Sequence, residues 1–410
     1  MDARRRGPEM RAGERVAWHA LTRVVAVALV TLASASSRKA LASRVELTSA
    51  TDAPRKTLEG AHLERVRGLS AYAGNAFHGH PIVLWTTRVV GGGWGADAAL
   101  FAADCVAVAL LMALAKTMTG DEKKTRMVFW TYVLNPLHAL SALASSTSTL
   151  VRVGVFATTL AATRGAATAC GAAFALAVQL NPSLIVMTPA LLVMFWNHAS
   201  SGERKWTHVV KFASGFALLA AASVVAMGDE FSNWWRAAVT FTIMSEDQTP
   251  NLGLHWYVFT TMFDQFRLFY VVALNAIPFS LAAPMAIRFR GHPLVALTLL
   301  LIAVTVCLPY PTVGDVVTYL SLLTVLAADD EGNPLVHVKH GAVIAGGFLY
   351  VSLLSPLTWY MWIHTRVANA NFFYAITLVF ACTQILLLNQ VALSVVTFLR
   401  DAKKRRRKND

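Results

Sequence analysis

From Val24 to Leu399 the chain returns repeatedly to apolar stretches near bilayer-spanning length, and no other feature constrains its fold so strongly. A helix needs about 17–25 predominantly apolar residues to cross the hydrocarbon core. Such stretches fall near 20–36, 97–117, 127–145, 151–163, 166–180 and 182–198. A second set falls near 208–228, 256–287, 293–309, 315–328, 340–363 and 372–399. The pattern predicts an all-α, polytopic membrane helix bundle of about 12 transmembrane helices. Composition agrees: 56% of residues are hydrophobic and 14% charged, against about 25% charged in soluble domains. That excludes a soluble enzyme, a secreted disulfide scaffold and a disordered tail protein.

The net charge of +13 does not point to nucleic acid, because much of it sits at the two ends. Arg4, Arg5, Arg6, Arg11 and Arg15 open the chain; Lys403, Lys404, Arg405, Arg406, Arg407 and Lys408 close it. Basic flanks mark the cytoplasmic side and meet anionic lipid. With both ends cytoplasmic the spans are even in number. Alternation then places Lys123, Lys124, Arg126, Arg164, Arg204, Lys205, Arg288, Arg290 and Lys339 on the same side, as the positive-inside rule asks. The domain reading is a basic cytoplasmic N-terminus at 1–19, a multi-span domain at 20–399 with luminal loops 37–96 and 229–255, and a basic cytoplasmic tail at 400–410. Arg55, Lys56, Arg65 and Arg67 lie in the first luminal loop; loops of that length translocate regardless of charge. The first span has a second reading as a cleaved signal peptide, with a basic start, an apolar core and Ala33-Ser34-Ala35. Pro136, Pro182 and Pro189 interrupt apolar runs, which is tolerated where a helix packs on protein or lines a cavity. There is no heptad run, solenoid repeat or soluble catalytic domain.

Soluble catalytic motifs are absent: no HExxH, GxSxG, P-loop or dinucleotide fingerprint. Cys105, Cys170, Cys307 and Cys382 each sit in an apolar run without a CxxC, and read as buried structural thiols. His78 and His80 lack a third metal ligand nearby and read as interfacial. Asp97 and Asp104 share a helix face and read as structural, with a proton relay as the other reading. Asp264 and Arg267 are spaced to pair on one helix face. No metal and no cofactor is expected.

Four segments carry more polar detail than packing needs. They are 69–81, 245–257 with its continuation 263–269, 309–319, and 368–375. The runs DQTPNLGLHWY, FDQFRLF, YPTVGDV and ANANFFYAITLVF, followed by QILLL, resemble the PIG-U family, the polytopic subunit of the glycosylphosphatidylinositol (GPI) transamidase of the endoplasmic reticulum. The resemblance covers roughly Leu41 to Leu388; the ends and the short loop at 117–126 depart from it. It implies a scaffold like that of the GT-C membrane glycosyltransferases, which include the GPI mannosyltransferases. Those enzymes carry an Asp-x-Asp type site in the first luminal loop. Here that stretch holds Glu59 and Glu64 but no Asp-x-Asp, and a glycosyl transfer needs a carboxylate to activate the acceptor or hold a metal.

The resemblance therefore implies a non-catalytic subunit that binds and presents the GPI lipid. The transamidase cysteine would lie in another, peptidase-like subunit. Other transamidase subunits, the GPI lipid and membrane phospholipids are the expected partners, and the membrane of the endoplasmic reticulum the expected location. Asn369 and Asn371 are the first choice for headgroup contacts, since an amide both donates and accepts; capping of the last helix is the equal alternative. Asp247, Asn251 and His255 form a second polar set, and Asp315 a third; turns, a cap and intrahelical pairing are their alternatives. Arg204 and Lys205 are expected at a phospholipid headgroup, or as plain topology anchors. The competing function is an active mannosyltransferase using dolichol-phosphate-mannose, with Glu59, Glu64 or the Glu246–Asp247 pair as its acid. A secondary transporter would show inverted repeats, and none is visible.

Overall fold

The computed structural model describes residues 40–90, 92–198, 205–328 and 335–409. The predicted span 20–36 and its alternative as a cleaved leader lie outside them. So does Arg204, and the side chain of Lys205 with it, which leaves the expected phospholipid contact of that pair outside as well. Every regular element among the described residues is helical. The order is α1 (Pro54–Arg67), α2 (Pro81–Val90), α3 (Gly92–Thr119), α4 (Glu122–Val133), α5 (Pro136–Leu143), α6 (Ser148–Thr163), α7 (Ala167–Leu180) and α8 (Thr188–His198). Then follow α9 (Lys205–Met227), α10 (Glu230–Trp234), α11 (Phe241–Met244), α12 (His255–Thr261), α13 (Asp264–Arg288), α14 (Pro293–Cys307), α15 (Val313–Ala327), α16 (Gly341–Ile363) and α17 (Ala370–Asn409).

Among the described residues five stretches are long and apolar enough to cross a membrane: Ala96–Thr119, Trp206–Met227, Asp264–Arg288, Gly341–Ile363 and Ala370–Asp401. Shorter apolar helices stand among them, at Ser148–Thr163, Ala167–Leu180, Pro182–His198, Pro293–Cys307 and Val313–Ala327. Burial separates the two groups. In α14 every residue from Leu294 to Thr305 is buried, the signature of a helix that is apolar all round and enclosed by protein. In α9, α13 and α16 no more than 17% of the most apolar window is buried, so those helices face outward. Such outward faces suit lipid, whose tails are as apolar as leucine.

Two predicted spans are each broken in two. The stretch 127–145 becomes α4 and α5, because Pro136 cannot continue a helix and Asn135 caps the new one, its side chain accepting from the Leu137 N–H at 3.0 Å. The stretch 256–287 breaks at Met262–Phe263, where both residues are extended. The short helix α12 stands before the break and α13 after it. The expected Asp264–Arg267 pair does not form. Arg267 Nη2 donates instead to the carbonyl of Ser245 at 2.8 Å and its guanidinium lies over the Phe259 ring. Ser245 ends α11 in the left-handed conformation, and its carbonyl offers Arg267 an acceptor that needs no second charge.

Close helix crossings use small residues. Gly171 on α7 meets the backbone of Phe212, and Gly215 on α9 meets the backbone of Thr168, so neither position has room for a Cβ. Deeper in the bundle, Asp104 of α3 is fully buried and collects three donors. Tyr132 Oη lies at 3.0 Å, His138 Nε2 at 3.0 Å and Arg152 Nη1 at 3.3 Å. These come from α4, α5 and α6, so one carboxylate ties four helices. Arg152 is itself 1% exposed and also donates to Tyr132 Oη at 3.0 Å. Asp97, one turn pair earlier on α3, accepts from Ser145 at 2.7 Å.

Removing one partner of a buried pair costs about 3–5 kcal/mol, because the other charge is left uncompensated. Asp104→Asn should therefore sharply lower the melting temperature in detergent and shift the gel-filtration profile toward aggregate. Replacing both ions, as Asp104→Asn with Arg152→Met, should recover part of the loss. Equal damage in the single and double variants would show that the pairing is not what holds the four helices.

Candidate functional site

The loop-bearing end of the bundle is tied together by residues far apart in sequence. The segment 44–52 runs inward rather than over the surface. The Glu46 carbonyl accepts from the Val313 N–H at 3.1 Å, and its carboxylate accepts from Ser355 of α16 at 2.8 Å. Asp52 is buried and fully engaged. Its Oδ1 takes Ser49 N at 2.5 Å and Ser49 Oγ at 2.8 Å; its Oδ2 takes Ser146 Oγ at 2.5 Å and Thr312 Oγ1 at 3.4 Å. Burial pushes its carboxyl pKa above the usual range, against these hydrogen bonds.

Above this layer lies a cavity of about 1630 Å³, bounded by the segment 40–50, helix α1, the start of α3 and the loop 247–251. Drug-sized ligands occupy roughly 300–1,000 Å³, so this space suits something larger. Lys56, His62, Asp97, Asp247, Asn251 and Tyr310 stand on its wall. α1 is held over it by Gly60, which seats against Phe77, and by the cluster of Ala61, Ala71, Phe77, Val83 and Leu84.

The structure distributes the expected site residues over three places. Asp247 and Asn251 share the wall of the large cavity. Asp247 Oδ1 closes a turn onto Thr249 N at 2.8 Å, and the Asp247 N–H donates to Tyr310 Oη at 2.8 Å. Asn251 is 5% exposed and spends its amide on the same turn, donating to Thr249 O at 3.1 Å and accepting from Gly253 N at 2.6 Å. His255 is buried behind them, 3.4 Å from Ser245 Oγ and stacked on Phe259. Asp315 is not at the large cavity. It forms a capping box with Thr312 at the start of α15 and reaches a small polar cavity of about 60 Å³ beside Asp52 and His80.

Asn369 and Asn371 form the third place, and they divide the two readings between them. Asn369 caps α17, its Oδ1 accepting from the Asn371 N–H at 3.0 Å. Asn371 Oδ1 accepts from Tyr257 Oη at 2.5 Å. Both asparagines are exposed. Beneath them is an aromatic shelf. Tyr257 stacks on Tyr374 at 4.2 Å, and Trp256 packs on Trp362, Phe373 and Tyr374. Thr260 Oγ1 donates to Gln248 at 3.3 Å, so the segment 245–261 links this shelf to the large cavity.

Two acids of the competing glycosyltransferase reading make local contacts. Glu59 pairs with Arg55 at 2.9 Å, and Asp247 closes its own turn. Asp52, which sequence reading overlooked, is a buried carboxylate of this region, and four donors already fill it. Its only sequence signal is a Ser-x-x-Asp spacing from Ser49, too common to single out. His78 and His80 are likewise spent: His78 Nδ1 on Ala237 O at 2.8 Å with its ring stacked on Phe241, His80 Nε2 on Gln179 at 3.0 Å. No group of three metal-ligating side chains exists among the described residues.

Burial pushes the pKa of His80 and of His255 down to about 4, from 6.5. Their unfolded forms thus bind protons more readily than the folded ones, and folding stability falls as pH drops from about 6.5 toward 4. Each contributes up to about 1.4 kcal/mol per pH unit in that window. Melting curves taken at pH 7.5 and 5.5 should show a smaller drop for His80→Gln or His255→Gln than for the unaltered chain. An unchanged difference would mean that neither ring is buried neutral. Asp52, whose carboxyl is raised, acts in the opposite sense and is common to all three proteins, so it cancels in the comparison.

Comparison with known proteins completes the description of the site. A family model described as GPI transamidase subunit PIG-U matches residues 21–380. The human GPI-anchor transamidase component PIGU is 28% identical, over 89% of this chain and 91% of the human one. The fission-yeast GPI transamidase component GAB1 homolog is 25% identical, over 82% and 83%. The budding-yeast component GAB1 is 24% identical, over 84% and 86%.

Proposed function

Since the chain belongs to the PIG-U family of GPI transamidase subunits and so serves in GPI-anchor attachment, we propose that its own part is to hold and present the GPI lipid. The lipid is a large polar glycan on apolar chains. The observation that carries the reading is the cavity of about 1630 Å³ joined by the segment 245–261 to an exposed pair of asparagines over an aromatic shelf. Amides bind phosphate oxygens and hydroxyls together, and aromatic faces suit a sugar or the membrane interface. Asn371, steered by Tyr257, supplies the principal contact; Asn369 sets the helix start and leaves its amide N–H₂ to the ligand. Asp247 contributes from the cavity wall. Asn251, His255 and Asp315 act at one remove, by shaping the turn, the floor and the helix start.

The subunit works without a catalytic nucleophile of its own. Its four cysteines lie on apolar helices, and on this reading the transamidation itself is left to a cysteine in a partner subunit. The bundle is read as twelve spans on a GT-C-like scaffold in the endoplasmic-reticulum membrane, with both termini cytoplasmic and the cavity luminal. The basic loops support that orientation, and the luminal side is where an anchor meets a protein's C-terminal signal.

Substitutions separate lipid contact from helix capping. Asn369→Ser keeps a good cap and should leave assembly intact. Asn371→Ala removes a polar contact worth about 1–3 kcal/mol, and should lower the GPI that co-purifies with the complex roughly five- to a hundred-fold. Anchor attachment in cells lacking the native subunit should fall with it. Full GPI retention by Asn371→Ala in an assembled complex would refute the reading.

A further inference from the structure

A second cavity, of about 210 Å³, lies away from the large one, between the segment 41–47 and helices α5, α15, α16 and α17. Val313, Val316, Phe348, Val351 and Phe380 make it apolar. Its lining from Pro356 to Phe348 on α16 and at Phe380 on α17 lies about 10–22 Å from the helix ends Ile363 and Ala370, at 1.5 Å per residue, which is acyl-chain depth. At about 30 Å³ for a water-sized group, it has room for roughly seven, a short run of methylenes.

Two charges stand on the same lining, Arg44 and Glu46. Glu46 is 8% exposed; its Oε1 is held by Ser355 at 2.8 Å, while Oε2 has no hydrogen-bond partner among the described residues. Arg44 is half-buried, and its guanidinium has neither hydrogen bond nor ion pair among the described residues. The two do not pair with each other. Ionisable groups at membrane depth are costly unless something compensates them. Here what compensates them must carry both signs.

We propose that this cavity takes a short run of an acyl chain of a phosphatidylethanolamine, with its phosphate on Arg44 and its ammonium on Glu46. Lipid chains are as apolar as the cavity, so filling it with a chain gains little by itself. Selectivity then rests on the headgroup. A guanidinium matches a phosphate by paired N–H donors, and a primary ammonium has hydrogens to give to Glu46 Oε2. A choline headgroup carries methyls there and has none to give. A GPI lipid is a poor fit, because the phosphate next to its chains bears inositol and not an amine.

The full chain, purified with its accompanying subunits into mild detergent, is analysed for retained lipid by mass spectrometry. It is then stripped and offered mixed micelles of phosphatidylethanolamine, its mono- and dimethylated forms, and phosphatidylcholine. Phosphatidylethanolamine should be retained at least about tenfold over phosphatidylcholine, with affinity falling stepwise on methylation. Glu46→Gln, which still accepts from Ser355, should erase that preference; Arg44→Gln should lower retention of all four. Val351→Phe fills the cavity and should abolish retention while the elution profile stays unchanged, which covers the case where the charge variants fail to fold. Equal retention of the ethanolamine and choline lipids overturns the proposal. So does retention indifferent to all three variants, or a cavity found to hold the chain's own segment 20–36 or a GPI chain. GPI retention at Asn371 is read separately, so the two readings fail independently.

Discussion

Burying a charge inside a membrane bundle is tolerated only with a counter-charge and hydrogen bonds around it, and this molecule is organised about one such group. Asp104 has no exposed surface, and its donors come from α4, α5 and α6. The bond geometry demands that these helices keep one register with α3. A sliding of any one by a turn would strand a carboxylate or a guanidinium in apolar surroundings. Apolar packing alone is less exacting, because leucines and valines exchange neighbours at small cost.

That register delivers the connecting segments to one end in a fixed arrangement. Ser146, in the link 144–147 that joins α5 to α6, meets Asp52, and Thr312 before α15 meets the same carboxylate. The segment 44–52 is thereby drawn into the bundle, and its two faces create two different spaces. One side borders the large cavity, and the other borders the apolar pocket with Arg44 and Glu46. A chain segment that belongs to no spanning helix thus shapes both of these cavities.

The expected site residues show how a polar motif divides its labour. Asn251 and Asp315 satisfy the loop's own backbone, which is the accounting every buried segment must close. Asn371 and Asp247 are left with surface toward open space. In DQTPNLGLHWY the same polar residues thus build the turn and face the cavity. The short helices inside the bundle follow the same logic: α14 does not need bilayer length, because protein and not lipid surrounds it.

The apolar runs determined by themselves that the chain is helical and membranous, because helices alone close their backbone bonds within one short apolar segment. Pro136 announced the break between α4 and α5, and Asn369 the start of α17, since both act on adjacent backbone. The PIG-U resemblance was legible for the same reason: its motifs are contiguous. What tertiary structure alone decided were pairings across long separations. Glu46 finds Ser355, Asp52 finds Thr312, Tyr257 finds Asn371, and Arg267 prefers Ser245 to its neighbour Asp264. Glu46 and Asp52 look like ordinary loop acids in the sequence. Their burial depends on where the surrounding helices stop and cross, and a linear pattern of polar and apolar residues does not contain that.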